Sequence, residues 1–397
     1  MTTVLSSRES GSPLCLVCDR PDLSRVAGFD DLPRITSDCR AFPAGGELFV
    51  CMGCATVQKR PSAIWIREIG EIYSQYASYY QSGGDEQIVF DAVSGRPRRR
   101  SDVLMDRLFA STKLPAKGAA LDVGCGNGAT LTSMSAVFPA WNLNGYELEG
   151  SSRPQLGRIA RFEKLYTKSL SAIDREFDLV TMIHSLEHFP SPRGALEDVR
   201  NLVGDGYLFI QVCDVEQNPF DILVADHLIH FSQSSLCRLL RAAVISPTSS
   251  TTGWVPKEIS LLARRRMADG EPYDVAGPSE RDVWRRTSGY VEWLRAVMAL
   301  ARDLVGTGKQ LGIFGTSIAA TWLGSQLEGS VAFFVDEDES RIGKTHMGRP
   351  ILRPADVPED SIVYLALAPS VADLIARRLA ALQIDFFLPP RLSLAGN

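Results

Sequence analysis

Short apolar runs recur along this chain at the spacing expected of alternating strands and helices. Ala119–Val123, Trp141–Tyr146, Phe177–Ile183 and Gly206–Val212 have strand length. The last two, FDLVTMI and GYLFIQV, are apolar almost throughout, as strands covered on both faces must be. Leu131–Phe138, Arg153–Arg161 and Leu196–Val203 between them read as helices. This alternation predicts a doubly wound parallel sheet, with ligands beyond the carboxyl ends of its strands. Trp254–Leu262 reads as its last strand, and Ala263–Ser279, with Gly270, Pro272, Gly277 and Pro278, as a linker. A long helix over Trp284–Val305 opens a second series. Leu311–Phe314, Val331–Val335, Ser361–Leu367 and Phe386–Leu388 read as strands, Ile318–Leu327 and Val371–Leu382 as helices, and Asp338–Arg349 as a polar loop. Upstream, Ile64–Gln81 and Arg98–Leu114 carry helical spacing, and Ser82–Asp85 reads as a loop. The predicted division is a small lobe at 1–62, a helical connector at 63–117, an α/β domain at 118–268, and a linker with a Rossmann-like lobe at 269–397.

A length of 397 residues suits two or three domains, and 45% hydrophobic with 22% charged residues is ordinary for a globular chain. A net charge of -5 argues against a nucleic-acid partner. The arginine clusters Arg96–Arg100 and Arg264–Arg266 read as a solvated loop and a strand edge. No apolar run approaches the ~20 residues that span a bilayer. The opening MTTVLSSRESGSP lacks the apolar core of a signal peptide. A cytoplasmic, reducing setting is expected, in which eight cysteines point away from disulfides.

The stretch Ala119–Thr130, AALDVGCGNGAT, joins a strand to a helix through Gly124, Gly126 and Gly128, with Asp122 ahead of them. Glycines let the backbone turn sharply and approach a ligand without a Cβ in the way. The following helix offers unpaired N–H groups. Glu147, after the next strand, stands where an acid can grip both hydroxyls of a ribose. The spacing, D-x-G-x-G-x-G, is not the dinucleotide fingerprint. It resembles motif I of the class I S-adenosylmethionine (SAM) methyltransferases, and Glu147 falls where their ribose-binding acid sits. In that family the adenine is held at the position of Tyr166–Leu170, which makes Ser169 and Leu170 candidate cofactor contacts.

Cys15-Leu-Val-Cys18 and Cys51-Met-Gly-Cys54 are two C-x-x-C knuckles, each placing two thiolates on one tight turn. The pattern predicts a closed, structural Zn²⁺ site in a lobe too small to hold itself by its core. Cys39 has no partner at knuckle spacing and reads as a buried residue or one facing the cleft. Aromatics at Trp65, Tyr73, Tyr76, Tyr79 and Tyr80 pack this lobe onto the next domain, or place one tyrosine over the active site.

Of five histidines, four lie in two segments at strand ends, His184-Ser-Leu-Glu187-His188-Phe and Asp226-His227-Leu-Ile-His230-Phe-Ser232. Histidine is suited to moving protons near neutral pH. Glu187–His188 and His227 with His230 also have the look of metal pairs, but zinc has a better home in the cysteines. In the C-terminal series, the turn Phe314-Gly-Thr-Ser317 has one glycine and lacks the dinucleotide fingerprint, so no redox cofactor is expected. Its N–H groups with Arg341, Lys344 or Arg349 could hold a diphosphate.

The order of a two-knuckle lobe, a SAM domain with S-L-E-H, a D-H-x-x-H-F-S segment and a Rossmann-like lobe resembles the nucleotide-sugar C-methyltransferases of antibiotic deoxysugar pathways, over nearly the whole length. The resemblance implies a 4-keto sugar nucleotide bound between the central and C-terminal domains, and an enolate that attacks the methyl of SAM. It assigns His227 as general base beside Asp226, and His188 as the group that steadies the enolate or relays the proton. The family has Y-D-E-H where this chain has Val224-Ala-Asp226-His227, and an aromatic at His230. These departures leave open another sugar, another carbon, or an oxygen acceptor. A zinc-ribbon rRNA methyltransferase and a non-catalytic SAM or nucleotide-sugar binder are the rival readings.

Overall fold

The computed structural model describes residues 13–76, 86, 88–91, 93–94, 96–265, 273–327, 329–382 and 384–392. Tyr79, Tyr80, the Ser82–Asp85 loop and Arg266 lie outside them.

The N-terminal lobe contributes β1 (Leu23–Arg25), β2 (Leu48–Cys51), β3 (Val57–Lys59) and α1 (Ala63–Ser74). Ser62 caps α1 by accepting from the Trp65 N–H, and the buried face Trp65, Ile69 and Ile72 has helical spacing. The helix stops short of the predicted Gln81. After α2 (Arg100–Ser111) come β4 (Ala119–Val123), α3 (Ala129–Val137), β5 (Asn142–Tyr146), β6 (Phe162–Tyr166), β7 (Phe177–Ile183), α4 (Pro192–Leu202) and β8 (Val203–Cys213). The short strand β9 (Ile229–His230), α5 (Gln233–Ala242), β10 (Ser246–Thr251) and β11 (Glu258–Arg264) complete the domain.

The central sheet has the order β6-β5-β4-β7-β8-β11-β10. β4 to β8 are parallel, and β11 runs antiparallel to β8. This is the doubly wound sheet that the alternation predicted, parallel over β4 to β8 with an antiparallel pair at one edge. The single last strand expected at Trp254–Leu262 is instead a pair. β10, SPTSST, is a sheet edge built of hydroxyl residues, so no apolar run announces it. The helix expected over Arg153–Arg161 is one turn, Arg153–Leu156, ended by Gly157.

α6 (Glu280–Val305) leads to the C-terminal lobe, where β12 (Gln310–Phe314), β13 (Val331–Val335), β16 (Ser361–Tyr364) and β17 (Asp385–Phe387) run parallel. The polar stretch read as a loop adds two short strands, β14 (Thr345–His346) and β15 (Arg349–Leu352). α7 (Ile318–Ser325) and α8 (Pro369–Arg378) flank this sheet.

The lobes share cores. Cys15, Cys51 and Cys54 pack in one cluster with Leu121, Met182, Ile210 and Phe231 of the central domain. Val50, Leu223, Leu294 and Ile313 join the N-terminal lobe, the segment between β8 and β9, α6 and β12 in another. The joint is sharpest at β9, which leaves the central domain to become the fourth strand of the N-terminal sheet, pairing Ile229 with Gln58 and His230 with Val57. No helix among the described residues is long and apolar enough to cross a membrane.

Candidate active site

The glycine turn closes β4 against β5. The N–H groups of Gly124 and Cys125 both donate to the Tyr146 carbonyl, at 2.9 and 3.1 Å. Gly124, Gly126 and Gly128 sit at φ of 81, 48 and 89°, the left-handed region that glycine reaches freely. A Cβ on Gly124 would lie 2.6 Å from the Ser185 Cβ, so the turn rests directly on the first histidine segment. Asp122 is buried beneath the turn and accepts from Thr181 Oγ1 at 2.6 Å. Burial pushes its carboxyl up to about 7 against that hydrogen bond, with the Glu147 charge adding. Glu147 ends β5, and its two oxygens accept from the N–H groups of Gly126 (3.0 Å) and Leu148 (2.8 Å). Leu170 is buried beside Tyr146 and Tyr166, while Ser169 stands before it on the surface, bonded to Ser171. Bare backbone at the turn, the open N-terminus of α3 and an acid at the end of β5 fit the adenosyl and methionine parts of SAM.

The histidine segments meet beside this turn. His188 lies on the short helix Leu186–His188, directly after Ser185. The His188 and His227 rings are 4.8 Å apart and nearly perpendicular. The Leu228 N–H donates to the Glu187 carbonyl at 2.7 Å and staples one segment to the other.

Asp221, which sequence reasoning missed, organises the second segment. It faces His227 Nδ1 at 2.9 Å with Oδ1 and His230 Nδ1 at 2.7 Å with Oδ2. Burial penalises its charge, yet the two imidazoles outweigh that and hold the carboxyl well below the usual range. An ionised carboxylate only accepts, so His227 donates Nδ1–H to it, and in the neutral imidazole the lone pair then falls on Nε2. That is the tautomer of a general base. His230 is wholly buried, and burial with the nearby Lys59 lowers it to about 4 despite Asp221.

Asp226 lies behind His188, with Oδ2 facing Nδ1 at 3.3 Å. Burial favours neutral His188, but Asp226 and Glu187 outweigh it and raise its proton affinity above the ordinary imidazole value. His184 stands at a left-handed φ of 48°, with Glu187 at 3.3 Å and Glu258 at 3.2 Å. Burial opposes its charge as well, and Glu258 outweighs burial to hold it protonated well above the ordinary value. Tyr73 is the aromatic of α1 that reaches the site, its ring 6.3 Å from His188.

The segment bearing these groups is gripped from the N-terminal lobe. Ala225 N–H donates to the Ile35 carbonyl at 2.7 Å, Trp65 Nε1 to the Ala225 carbonyl at 3.1 Å, and Lys59 Nζ to the Val224 carbonyl. The Val224 side chain is buried in the shared core with Ile35 and Leu223.

Side chains crowd closely enough here that His184–Glu187–Cys213, Glu187–His188–His227 and Asp221–His227–His230 each hold ligand-type atoms within 4.8 Å of one another. In the last set those atoms are already hydrogen-bonded to each other through Asp221. The four knuckle cysteines form a separate group. Cys15 and Cys54 sulfurs lie 3.4 Å apart, and those of Cys18 and Cys51 3.5 Å apart. The N–H groups of Val17 and Gly53 point at the first sulfur of each knuckle. Cys39 lies elsewhere, and burial pushes its thiol up to about 12.

Arg341 is buried where the C-terminal lobe approaches Cys39, and its guanidinium is engaged with Thr316, Asp336 and Asp338. Asp336 accepts from Thr316 and from the N–H groups of Glu337 and Asp338, which closes that turn on itself. Arg98, Arg100 and Arg265 are engaged with Asp91 and Asp106, Glu258, and Glu176.

Residues 96–243 match a family model described as a methyltransferase domain. No curated protein sequence matches the chain. Solved structures similar to it include a SAM-dependent methyltransferase from Clostridium acetobutylicum, at 13% identity and a TM-score of 0.35 over 41% of this chain and 89% of that one. The mitomycin 7-O-methyltransferase is 14% identical, with a TM-score of 0.40 over 50% of this chain and 60% of that one. The Burkholderia thailandensis 1,6-didemethyltoxoflavin-N1-methyltransferase is 18% identical, with a TM-score of 0.37 over 53% and 95%. The matched segment carries the glycine turn, both histidine segments and most of the central sheet, so the chain contains a methyltransferase domain.

Proposed function

We propose that this enzyme methylates a carbon next to the ketone of a keto-sugar nucleotide. The observation that carries the reading is the Asp221–His227 pair, with the His227 ring 4.8 Å from that of His188. S-Adenosylmethionine, bound on Gly124, Gly126 and Gly128 with Glu147 on its ribose, supplies an electrophilic methyl group. His227 Nε2 takes the proton from the carbon next to the ketone. The C–H electron pair moves into a C=C bond, and the carbonyl electrons go onto oxygen. Protonated His188 faces that new charge, which is what makes the enolate accessible. The enolate carbon then forms its bond to the methyl group, and the sulfur keeps the old bonding pair.

An oxygen acceptor is the second reading. It is favoured by the departure at Val224, a core residue where the resembling family has a tyrosine hydroxyl. The two readings part in D₂O. Incubated with a 4-keto-6-deoxy sugar nucleotide and S-adenosylhomocysteine, the enzyme is expected to exchange deuterium into the carbon beside the ketone. His227→Ala is expected to slow that exchange ~100-fold or more. Methyl transfer to the sugar without any exchange would replace the carbon reading with the oxygen one.

The four cysteines are assigned to one structural Zn²⁺, since their sulfurs approach the ~3.8 Å edge of a tetrahedron with ~2.3 Å arms. The purified chain is expected to hold about one zinc, and Cys54→Ser to lower both zinc content and melting temperature. A metal-free chain as stable as the zinc-loaded one would remove this assignment.

A further inference from the structure

Asp226 is held from two lobes at once. Ser37, in the N-terminal lobe, donates its backbone N–H to Oδ1 at 2.8 Å and its hydroxyl to Oδ2 at 2.5 Å, across 189 residues of sequence. Oδ2 is also the oxygen that faces His188 Nδ1 at 3.3 Å. That fully buried carboxylate oxygen therefore accepts from a serine hydroxyl while an imidazole nitrogen stands within ion-pair distance of it.

The loop that delivers Ser37 is braced on both sides. Thr36 N–H donates to the Arg40 carbonyl at 2.8 Å, and Thr36 Oγ1 to Asp38 Oδ1 at 2.5 Å. Arg40 donates to Asp38 at 2.9 Å and to the Ile72 carbonyl of α1 at 3.0 Å. Ser37 is thus presented by a fixed scaffold. A carboxylate oxygen that accepts one strong hydrogen bond is a weaker partner for a second cation. In the low dielectric of a buried site that competition is strongly felt.

We propose that Ser37 is a positioning residue of the active site, whose hydroxyl sets how firmly Asp226 holds the proton on His188. The N-terminal lobe then acts on the enolate-steadying group and does not serve only as a support. This deepens the base-and-enolate reading above and, for its catalytic consequence, rests on it. The other groups facing His188 are Glu187, His184, His227 and the Tyr73 ring. Those facing Asp226 include His227, Lys59, Cys39 and Tyr73. None of them changes in a Ser37 variant, so comparison with wild type isolates the hydroxyl.

The test is a titration of the ¹⁵N-histidine-labelled full chain by NMR, with the His188 signal assigned through its loss in His188→Gln. Removing the hydroxyl leaves the Oδ2 charge to His188 alone, so the imidazole keeps its proton to higher pH. Ser37→Ala is expected to raise the His188 midpoint by about one pH unit, and Ser37→Thr to restore it. The alkaline limb of kcat should move upward with it. Equal midpoints in wild type, Ser37→Ala and Ser37→Thr overturn the proposal. Should Ser37→Ala fail to fold, Ser37→Cys, similar in size and a weaker donor, must move the midpoint the same way by less, and an unmoved midpoint there overturns it too. The titration needs no acceptor. A shifted midpoint in an enzyme inert toward keto-sugar nucleotides supports the role of Ser37 and removes the catalytic reading instead.

Discussion

Asp221→Asn is expected to lower kcat by ~10³-fold or more while leaving SAM affinity unchanged. The reason is a tautomer. Ionised Asp221 accepts from His227 Nδ1–H at 2.9 Å, which keeps the lone pair on Nε2. An asparagine can turn its amide N–H toward Nδ1, and the imidazole then carries its proton on Nε2 and is useless as a base. The side chain keeps its size, so the short helix Pro219–Leu223 that carries it should persist. A change of less than about threefold would show that His227 is not the group whose proton transfer limits the rate. Isothermal titration with S-adenosylhomocysteine supplies the control, because Asp221 takes no part in the glycine turn.

Gly126→Asp is expected to weaken SAM binding ~100-fold or more without unfolding the domain. Gly126 has a φ of 48°, a conformation that aspartate tolerates better than most side chains. A side chain at such a φ is still strained, so the fold of the variant is checked by circular dichroism beside its affinity. Its N–H donates to Glu147 Oε2 at 3.0 Å, so the new carboxylate would sit beside that acid and on the face where backbone meets ligand. Like charge and lost access act together, and neither depends on the fold failing. Retained affinity in a normally folded variant would overturn the assignment of the turn to the cofactor.

Much of this was legible in the sequence, for local reasons. The strand, turn and helix around Asp122–Gly128 are contiguous, and each residue there answers to its own neighbours. The knuckle cysteines announce themselves by spacing, and the two histidine segments by their place after apolar strands. What escaped has the opposite character. Asp221 precedes His227 by six residues and sits on a separate one-turn helix, so no periodicity ties the two together. Ser37 reaches Asp226 across two lobes. Arg341 was a plausible phosphate ligand as a sequence symbol, and only packing shows its guanidinium engaged with Thr316 and Asp336. The edge strand Ser246–Thr251 is polar because only Pro247 of it is fully buried, and polarity is what a loop also shows.

The pairing of His230 with Val57 has a consequence for how such a protein can diversify. A seam in which one module supplies the last strand of another's sheet resists recombination at the boundary suggested by the primary structure. Exchanging the first 62 residues between homologues would replace the backbone that His230 leans on.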